Sequence, residues 1–325
     1  MSRSFTIAVL SDIHYAGPTE LTAGDDYETR VFENPLLRFA LRKYRDFIWL
    51  RHPLRHNDKL DRFIAECPPV DCVVANGDYA ANVAAVGLCD DAAAESAREC
   101  LGKLRAYFGD KLLCNYGDHE LGKLRMLGSR GGLRLASWRR CTGELGLQPF
   151  WRVELGNYVL MNCVSTLVAL PMFGPDMLEA EKPEWEKLRD LHLAEIRAAF
   201  VSLRPKQRVF LFCHDPTALP YLWRDEIIRT RLVQVEQTII GHLHSMLFLR
   251  KSRLLAGMPV IRRLGHSAHR MSTALNQARL WKHFRVRLCP SLAGIQLLKD
   301  GGYLTLHFND AAQEPATIKL CRLRW

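Results

Sequence analysis

Five short blocks rich in Asp and His are spread over more than two hundred residues of the chain. In chain order they read Asp12-Ile13-His14, Asn76-Gly77-Asp78, Gly117-Asp118-His119-Glu120, His214 and Gly241-His242-Leu243-His244. Carboxylates and imidazoles together form a mixed oxygen and nitrogen ligand set, which suits Mn²⁺, Fe and Zn²⁺. Because the blocks hold enough such groups for two ions, we predict a site for two adjacent metal ions.

Short apolar runs precede these blocks and predict the elements that position them. The strands are predicted at residues 5–10, 71–75, 111–115, 158–164, 208–213 and 237–240. Their content of Val, Ile and Phe is typical of strands that are covered on both faces. Four of the five blocks directly follow such a run, so we expect the metal ligands to gather where the strands end.

The remaining elements follow from caps, turns and prolines. Helices are predicted over residues 90–108, which begin with acids and end before Gly109, and over residues 183–203, which are followed by Pro205. Residues 292–298, 303–308 and 317–323 are predicted as antiparallel strands separated by turns. Since no repeat and no low-complexity linker occurs, we predict a single domain over residues 1–325.

Two segments are long for connections between strands and are predicted to be cap-like insertions, at about residues 15–69 and 245–287. Within the first, apolar residues at positions 36, 40, 44, 47 and 48 have the spacing of an amphipathic helix, with basic residues among them. This apolar stripe either packs on the body of the protein or faces a membrane or lipid.

The net charge of +10 is unevenly distributed. Residues 237–299 contain eleven Lys and Arg and no acid, and further basic stretches cover residues 38–62 and 123–140. Such stretches favour an anionic partner, namely a phosphorylated substrate, an anionic lipid surface or a nucleic acid.

The chain has no apolar run of membrane-spanning length, no signal peptide and no C-x-x-C pair among its ten cysteines. We therefore expect a cytoplasmic protein with reduced thiols.

The five blocks match, in order, the motifs D-x-H, G-D, G-N-H-D/E, H and G-H-x-H, and in this the chain resembles the calcineurin-like metallophosphoesterase superfamily. The resemblance covers roughly residues 5–244 and the strands after Pro290. It implies an α/β fold, a four-layer αββα sandwich of two mixed β-sheets flanked by helices, with helical cap insertions. It also implies a phosphoric ester hydrolase with two divalent ions, and it leaves open whether these are Mn, Fe, Zn or Mg.

The resemblance further implies a role for each motif residue. The first ion would be held by Asp12, His14, Asp78 and His244, and the second by Asp78, Asp118, His214 and His242. A hydroxide bridging the two ions would attack phosphorus in line with the leaving group. His119 would be the catalytic residue, donating to a phosphoryl oxygen or protonating the leaving group, while Glu120 would only orient its loop.

Two positions depart from the family pattern. Position 118 is Asn in the family and Asp here, and a carboxylate offers no donor to a phosphate. We expect Asp118 to hold the second ion more firmly and to attract an anionic substrate less, unless arginines from residues 123–140 or a trivalent first metal compensate. Position 81 is Ala where phosphatase branches carry an Asp that pairs with the catalytic His, which argues against the protein-phosphatase branch.

The substrate stays open between several hypotheses. The first is a phosphodiester or pyrophosphate bond in a lipid-linked or nucleotide-linked substrate, with peripheral contact to the inner membrane face. UDP-2,3-diacylglucosamine hydrolases, which belong to the superfamily, provide the analogy. The alternatives are a soluble nucleotide or cyclic-nucleotide phosphodiesterase, a nuclease, and a catalytically weak metal-binding interaction scaffold. No protein partner is predicted.

Overall fold

The computed structural model of the protein describes residues 3–123 and 131–324, so residues 124–130 of the basic stretch 123–140 lie outside the described residues. The strands of the described part form two five-stranded sheets. In chain order they are β1 Ser4–Leu10, β2 Cys72–Ala75, β3 Leu112–Cys114, β4 Arg152–Leu155, β5 Tyr158–Cys163, β6 Arg208–Cys213, β7 Val235–Ile240, β8 Val286–Leu288, β9 Gly302–Asn309 and β10 Thr317–Arg322.

Both sheets are mixed. The first has the order β10-β9-β1-β2-β3. Strands β1, β2 and β3 are parallel to one another, and β9 pairs in antiparallel fashion with both of its neighbours, β1 and β10. The second has the order β4-β5-β6-β7-β8, in which only the β4–β5 pair is antiparallel. Apolar side chains from both sheets, among them Val9, Val74, Phe210 and Ile239, form one buried cluster. A larger apolar cluster joins the sheets to the helices, and the predicted α/β sandwich is confirmed.

The α-helices are α1 Pro18–Leu21, α2 Pro35–Phe47, α3 Asp58–Glu66, α4 Asp91–Phe108, α5 Asp118–Leu121, α6 Leu135–Gly143, α7 Ser165–Val168, α8 Lys182–Val201, α9 Leu219–Arg224, α10 Glu226–Arg231, α11 Met246–Leu254 and α12 Gly265–Gln277. The two helices predicted from caps and prolines correspond to α4 and α8. Asp90 is the N-cap of α4, and its carboxylate accepts a hydrogen bond from the Ala93 amide at 3.0 Å.

One predicted strand is wrong. Residues 292–298 form turns between β8 and β9, although several of their apolar side chains are buried. Gly294 has a φ of 67°, and its amide donates to the Ser291 carbonyl at 3.1 Å, so the chain reverses here. Leu292 belongs to the larger apolar cluster although it lies outside a strand, and the apolar run therefore mimics a strand in the sequence.

The two insertions predicted from loop length contain several helices. Residues 15–69 include α1, α2 and α3, and residues 245–287 include α11 and α12. The apolar side of α2 faces solvent, since Leu36, Phe39 and Phe47 are 78%, 60% and 64% exposed. In the described residues, no helix combines the length and the apolar character that crossing a bilayer requires.

Candidate metal centre

The ligand blocks lie at the carboxyl ends of parallel strands in both sheets. Asp12 follows β1, Asp78 follows β2 and Asp118 follows β3, all in the first sheet. His214 follows β6, and the block with His242 follows β7, in the second sheet. The predicted placement at strand ends is confirmed, and the two sheets face each other so that these ends meet.

Unusual backbone geometry directs the side chains into one site. Five predicted ligands have a left-handed backbone, with φ of 52° at Asp12, 50° at His14, 59° at Asp78, 63° at His242 and 56° at His244. This conformation costs about 1 kcal/mol or more for a residue with a side chain, so neighbouring contacts must maintain it. The amides of Ile13 and His14 both donate to the Asp78 carbonyl at 3.0 Å, which locks the two loops together.

Glycines next to the ligands let the loops approach closely. A side chain at Gly77 would collide with the backbone of Gly117, and one at Gly117 would collide with the Asp78 carboxylate. A side chain at Gly241 would collide with Ser11 and with the Asp12 carboxylate. The glycines of the sequence motifs are therefore required by close contact between the loops.

The seven predicted ligands lie together in two adjoining groups. One group is Asp78, Asp118, His214 and His242, and the other is Asp12, His14 and His244; within each group the potential ligand atoms lie within 4.8 Å of one another. Asp78 Oδ2 lies 3.2 Å from His214 Nε2 and 3.9 Å from His14 Nε2, so it reaches toward both groups. This is the division deduced from the motifs, and the role of each residue as a ligand stays a prediction.

The imidazoles of the centre differ in how readily they take up a proton. His214 is fully buried; its Nδ1 donates to the Asn76 carbonyl at 2.7 Å, and its Nε2 has no hydrogen-bond partner in the described structure. Burial and the nearby His119 lower the pKa of His14 to about 3. Burial and the nearby His14 lower the pKa of His244 well below its usual value. Burial would lower the pKa of His214, but the nearby Asp78 and Asp12 outweigh burial and raise this pKa well above its usual value. Because imidazoles bind metal ions in the neutral form, an ion bound at His214 would displace a proton there. The described groups of carboxylates and imidazoles can hold two divalent ions.

Lys123 compensates the carboxylate at position 118. Asp118 Oδ2 lies 2.7 Å from Lys123 Nζ, and its Oδ1 lies 2.7 Å from His242 Nδ1. Burial alone would raise the pKa of Asp118, but Lys123 and His242 together hold it well below its usual value. The sequence predicts arginines of the stretch 123–140 in this role, whereas the cation next to Asp118 is Lys123. The sequence does not single out Lys123, because the pairing depends on the turn after α5.

His119 and Glu120 occupy different environments in α5. His119 Nδ1 donates to the Ala80 carbonyl at 3.0 Å, and its ring lies 4.5 Å from that of His14. The buried Glu120 carboxylate accepts the amides of Asp78, Tyr79 and Gly117 at 2.9, 2.8 and 2.6 Å. Glu120 thus orients the loops that carry the candidate ligands. His119 forms a further group of potential ligand atoms with His14 and Asp78, and its catalytic role stays a prediction.

An aromatic residue from the first insertion contacts the centre. The Trp49 ring lies 4.7 Å from the His244 ring and 5.4 Å from Phe248 of α11. In the sequence, Trp49 is one of several aromatic residues in and just after α2, and it has no assigned role. Its position connects both insertions to the edge of the metal centre.

Solved structures resemble the chain only weakly. A purple acid phosphatase from yellow lupin (Lupinus luteus) has a TM-score of 0.36 and 11% identity over 75% of this chain, which spans 38% of the lupin chain. The phosphopantetheinyl hydrolase of Mycobacterium tuberculosis has a TM-score of 0.34 and 14% identity over 74% of this chain and 83% of its own. A predicted phosphoesterase from Streptococcus pneumoniae has a TM-score of 0.28 and 12% identity over 98% of this chain and 99% of its own. Similarities this weak carry no argument about activity.

The family is established by a more specific match. No curated protein sequence matches the chain. The family model of the calcineurin-like phosphoesterases matches residues 5–246, a range that includes every predicted ligand. Within it, the described residues gather three carboxylates and four imidazoles at the ends of two sheets. The chain therefore belongs to the calcineurin-like phosphoesterase family and is a metal-dependent phosphoric ester hydrolase.

Proposed function

We propose that the protein hydrolyses a phosphodiester or pyrophosphate bond in a lipid-linked substrate at an anionic membrane surface. The observation that carries this proposal is the exposed apolar face of α2. Leu36, Phe39 and Phe47 project from this helix, and Lys43 Nζ lies 5.4 and 5.6 Å from the rings of Phe39 and Phe47. A helix with exposed apolar and basic side chains is suited to lie at the boundary between lipid head groups and acyl chains.

The residues that follow α2 link this helix to the metal centre. The backbone after α2 is bound to the loop before β9, since the amide of Gln296 donates to the Trp49 carbonyl at 2.7 Å. Leu297 and Leu298 of that loop are exposed apolar side chains. Because Trp49 also contacts His244, a lipid held at α2 would have its phosphate close to the ligands.

The chemistry assigns separate tasks to the residues of the centre. Two divalent ions bound by the two ligand groups would supply charge neutralisation for phosphoryl oxygens and would lower the pKa of a water molecule. His119, fixed through Nδ1 by the Ala80 carbonyl, offers Nε2 for transfer of a proton to the leaving oxygen. Such general acid catalysis contributes on the order of 10²–10⁴-fold to the rate.

The hydrolase activity is tested with chromogenic esters. We expect purified protein supplied with Mn²⁺ to hydrolyse bis-(p-nitrophenyl) phosphate faster than p-nitrophenyl phosphate. Asp78→Ala should abolish turnover, and His119→Ala should reduce kcat by about 10²-fold or more without changing metal content. Full activity in the His119→Ala variant would remove His119 from the mechanism.

The membrane part of the proposal is tested separately by co-sedimentation with vesicles. Wild-type protein should bind vesicles of phosphatidylcholine and phosphatidylglycerol more strongly than pure phosphatidylcholine vesicles. The triple variant Leu36→Ser, Phe39→Ser and Phe47→Ser should bind about tenfold more weakly and still hydrolyse the chromogenic diester.

A matched control replaces three exposed apolar side chains elsewhere on the surface, Tyr107, Leu191 and Val233, by Ser. This control should bind vesicles as the wild type does. Vesicle binding that is equal in the α2 triple variant and the wild type would overturn the membrane proposal. A soluble nucleotide phosphodiesterase would then be the better interpretation of the same metal centre.

A further inference from the structure

A cavity of about 640 Å³ lies at the free edge of the second sheet. Its walls come from α11, from the 3₁₀ segment Ala278–Phe284 and from the edge strand β8. None of the described residues that line it is a candidate metal ligand. The cavity is therefore distinct from the metal centre, and nothing in the phosphoesterase chemistry accounts for it.

The charge around this cavity is entirely positive. Five cationic residues line it, namely Arg253, Arg279, Lys282, Arg285 and Arg287, and its described lining contains no Asp or Glu. Arg253 donates to the Val286 carbonyl at 2.8 Å. The other four form no ion pair within residues 3–123 and 131–324. Because like charges held around one cavity repel each other, an anion bound there would be stabilised by all of them.

A buried donor in the wall also lacks a partner. Trp281 is only 5% exposed, and its indole N–H forms no hydrogen bond in the described structure. An indole nitrogen can only donate, and a buried donor without an acceptor is unfavourable. The indole nitrogen has almost no accessible surface, so an oxygen of a bound anion accepts from it once the Trp281 ring turns toward the cavity that it lines.

The rest of the wall is apolar. Met246, Leu249, Ala278 and Leu288 line the same cavity, so it offers a surface for hydrocarbon beside the cations. A neighbouring cavity of about 330 Å³ shares Lys282 and Arg285 and adds Trp223 and Arg229. The two cavities together offer room for a ligand longer than a single phosphate ion.

We propose that this edge cavity is a second ligand site, which binds a phosphate-bearing amphiphile. The phosphoryl oxygens accept hydrogen bonds from Lys282 and Arg285, and from Trp281 once its ring has turned toward them. The apolar part lies against Met246 and Leu249. The site does not depend on hydrolysis at the metal centre or on vesicle binding through α2.

Two phosphonates that a phosphoesterase cannot cleave test the site by calorimetric titration of the full-length metal-loaded protein. Octylphosphonate and methylphosphonate carry the same head group and differ in the hydrocarbon, and inorganic phosphate serves as the free anion. We expect octylphosphonate to bind most tightly. The double variant Lys282→Gln and Arg285→Gln should weaken its binding about tenfold or more, and Trp281→Phe should weaken it several-fold while preserving an aromatic ring in the wall.

The matched control is Arg262→Gln with Arg263→Gln, two exposed cations of the same basic segment outside both cavities. This control loses two positive charges, as the double variant of Lys282 and Arg285 does, and it should bind octylphosphonate with the affinity of the wild type. Hydrolysis of bis-(p-nitrophenyl) phosphate should be unchanged in all of these variants, which separates this site from the metal centre. Equal octylphosphonate affinity in the wild type and both cavity variants would overturn the site. Equal affinity for all three probes would overturn the amphiphilic ligand.

Discussion

At the scale of single residues, position 118 shows how two opposite charges can offset each other. A carboxylate in place of an amide adds one negative charge beside the second ligand group. Lys123, whose Nζ lies 2.7 Å from Asp118 Oδ2, adds one positive charge. The Asp118–Lys123 pair thus keeps the net charge that an amide alone would give, while the carboxylate remains able to contact an ion.

Metal titrations should separate the two charges. We expect Asp118→Asn to weaken binding of the second ion about tenfold, since Lys123 then faces the ion without a compensating carboxylate, and Lys123→Met to strengthen it by a similar factor. The double variant should lie near the wild type. Calorimetric titration with Mn²⁺ measures the ion affinity of the metal-depleted wild type, the two single variants and the double variant. Lys103→Met, which breaks the exposed ion pair with Asp61, is the control. Unchanged affinity in Asp118→Asn would contradict the charge argument.

Glu120 should matter for structure because its carboxylate receives three backbone amides. Gln at this position has one acceptor oxygen, and its NH₂ group would face an amide donor. We expect Glu120→Gln to lower the free energy of unfolding of the metal-free protein by about 1–3 kcal/mol, as measured by urea denaturation. The exposed Glu186→Gln is the control and should have no effect. Equal midpoints for both variants would show that the three hydrogen bonds are dispensable.

At the scale of elements, helix α12 is held to the body by one buried carboxylate. Asp176 Oδ1 lies 2.9 Å from His266 Nε2, and its Oδ2 lies 2.6 Å from Arg270 Nη1. Neither His266 nor the nearby His269 belongs to a group of potential metal ligands among the described residues. His266 serves in this ion-pair cluster, which attaches the second insertion.

Removing the carboxylate should loosen α12 selectively. Breaking a buried ion pair from one side costs about 3–5 kcal/mol, so we expect Asp176→Ala to lower the unfolding temperature and to speed amide hydrogen exchange in α12. The exposed Asp190→Ala should leave both quantities unchanged. If exchange accelerates equally throughout the chain and not selectively in α12, the substitution destabilises the protein in general. That outcome would contradict this attachment.

The success of sequence-based prediction varied with the kind of element. The strands before the ligand blocks are buried apolar runs, and their predicted bounds agree with β1, β2, β3, β5, β6 and β7 within two residues. Strands β4 and β8 carry Arg152, Glu154 and Arg287 and lie at the edges of the second sheet, so they lack an apolar signal. Contacts such as Asp118 with Lys123 or Trp49 with His244 depend on how loops cross in space, which no local pattern contains.

At the scale of the whole molecule, the metal centre joins the two sheets. Asp12, Asp78 and Asp118 come from the first sheet, and His214 and His242 come from the second. The direct contacts across this boundary include the His242 amide to Asp12 Oδ1 at 2.9 Å and His214 Nδ1 to the Asn76 carbonyl at 2.7 Å. Ions bound by residues from both sides would connect the sheets where three buried carboxylates otherwise repel one another.

Metal removal should therefore lower the stability of the entire sandwich. An ion present at about 100 times its dissociation constant stabilises the folded state by about 2.7 kcal/mol, so we expect Mn²⁺ to raise the unfolding temperature of EDTA-treated protein by about 5 °C or more. Asp78→Asn should remove most of this increase because Asp78 lies within reach of both ligand groups. The exposed Asp110→Asn should retain it. An unfolding temperature that is the same with EDTA and with Mn²⁺ would mean that the ions do not hold the two sheets together.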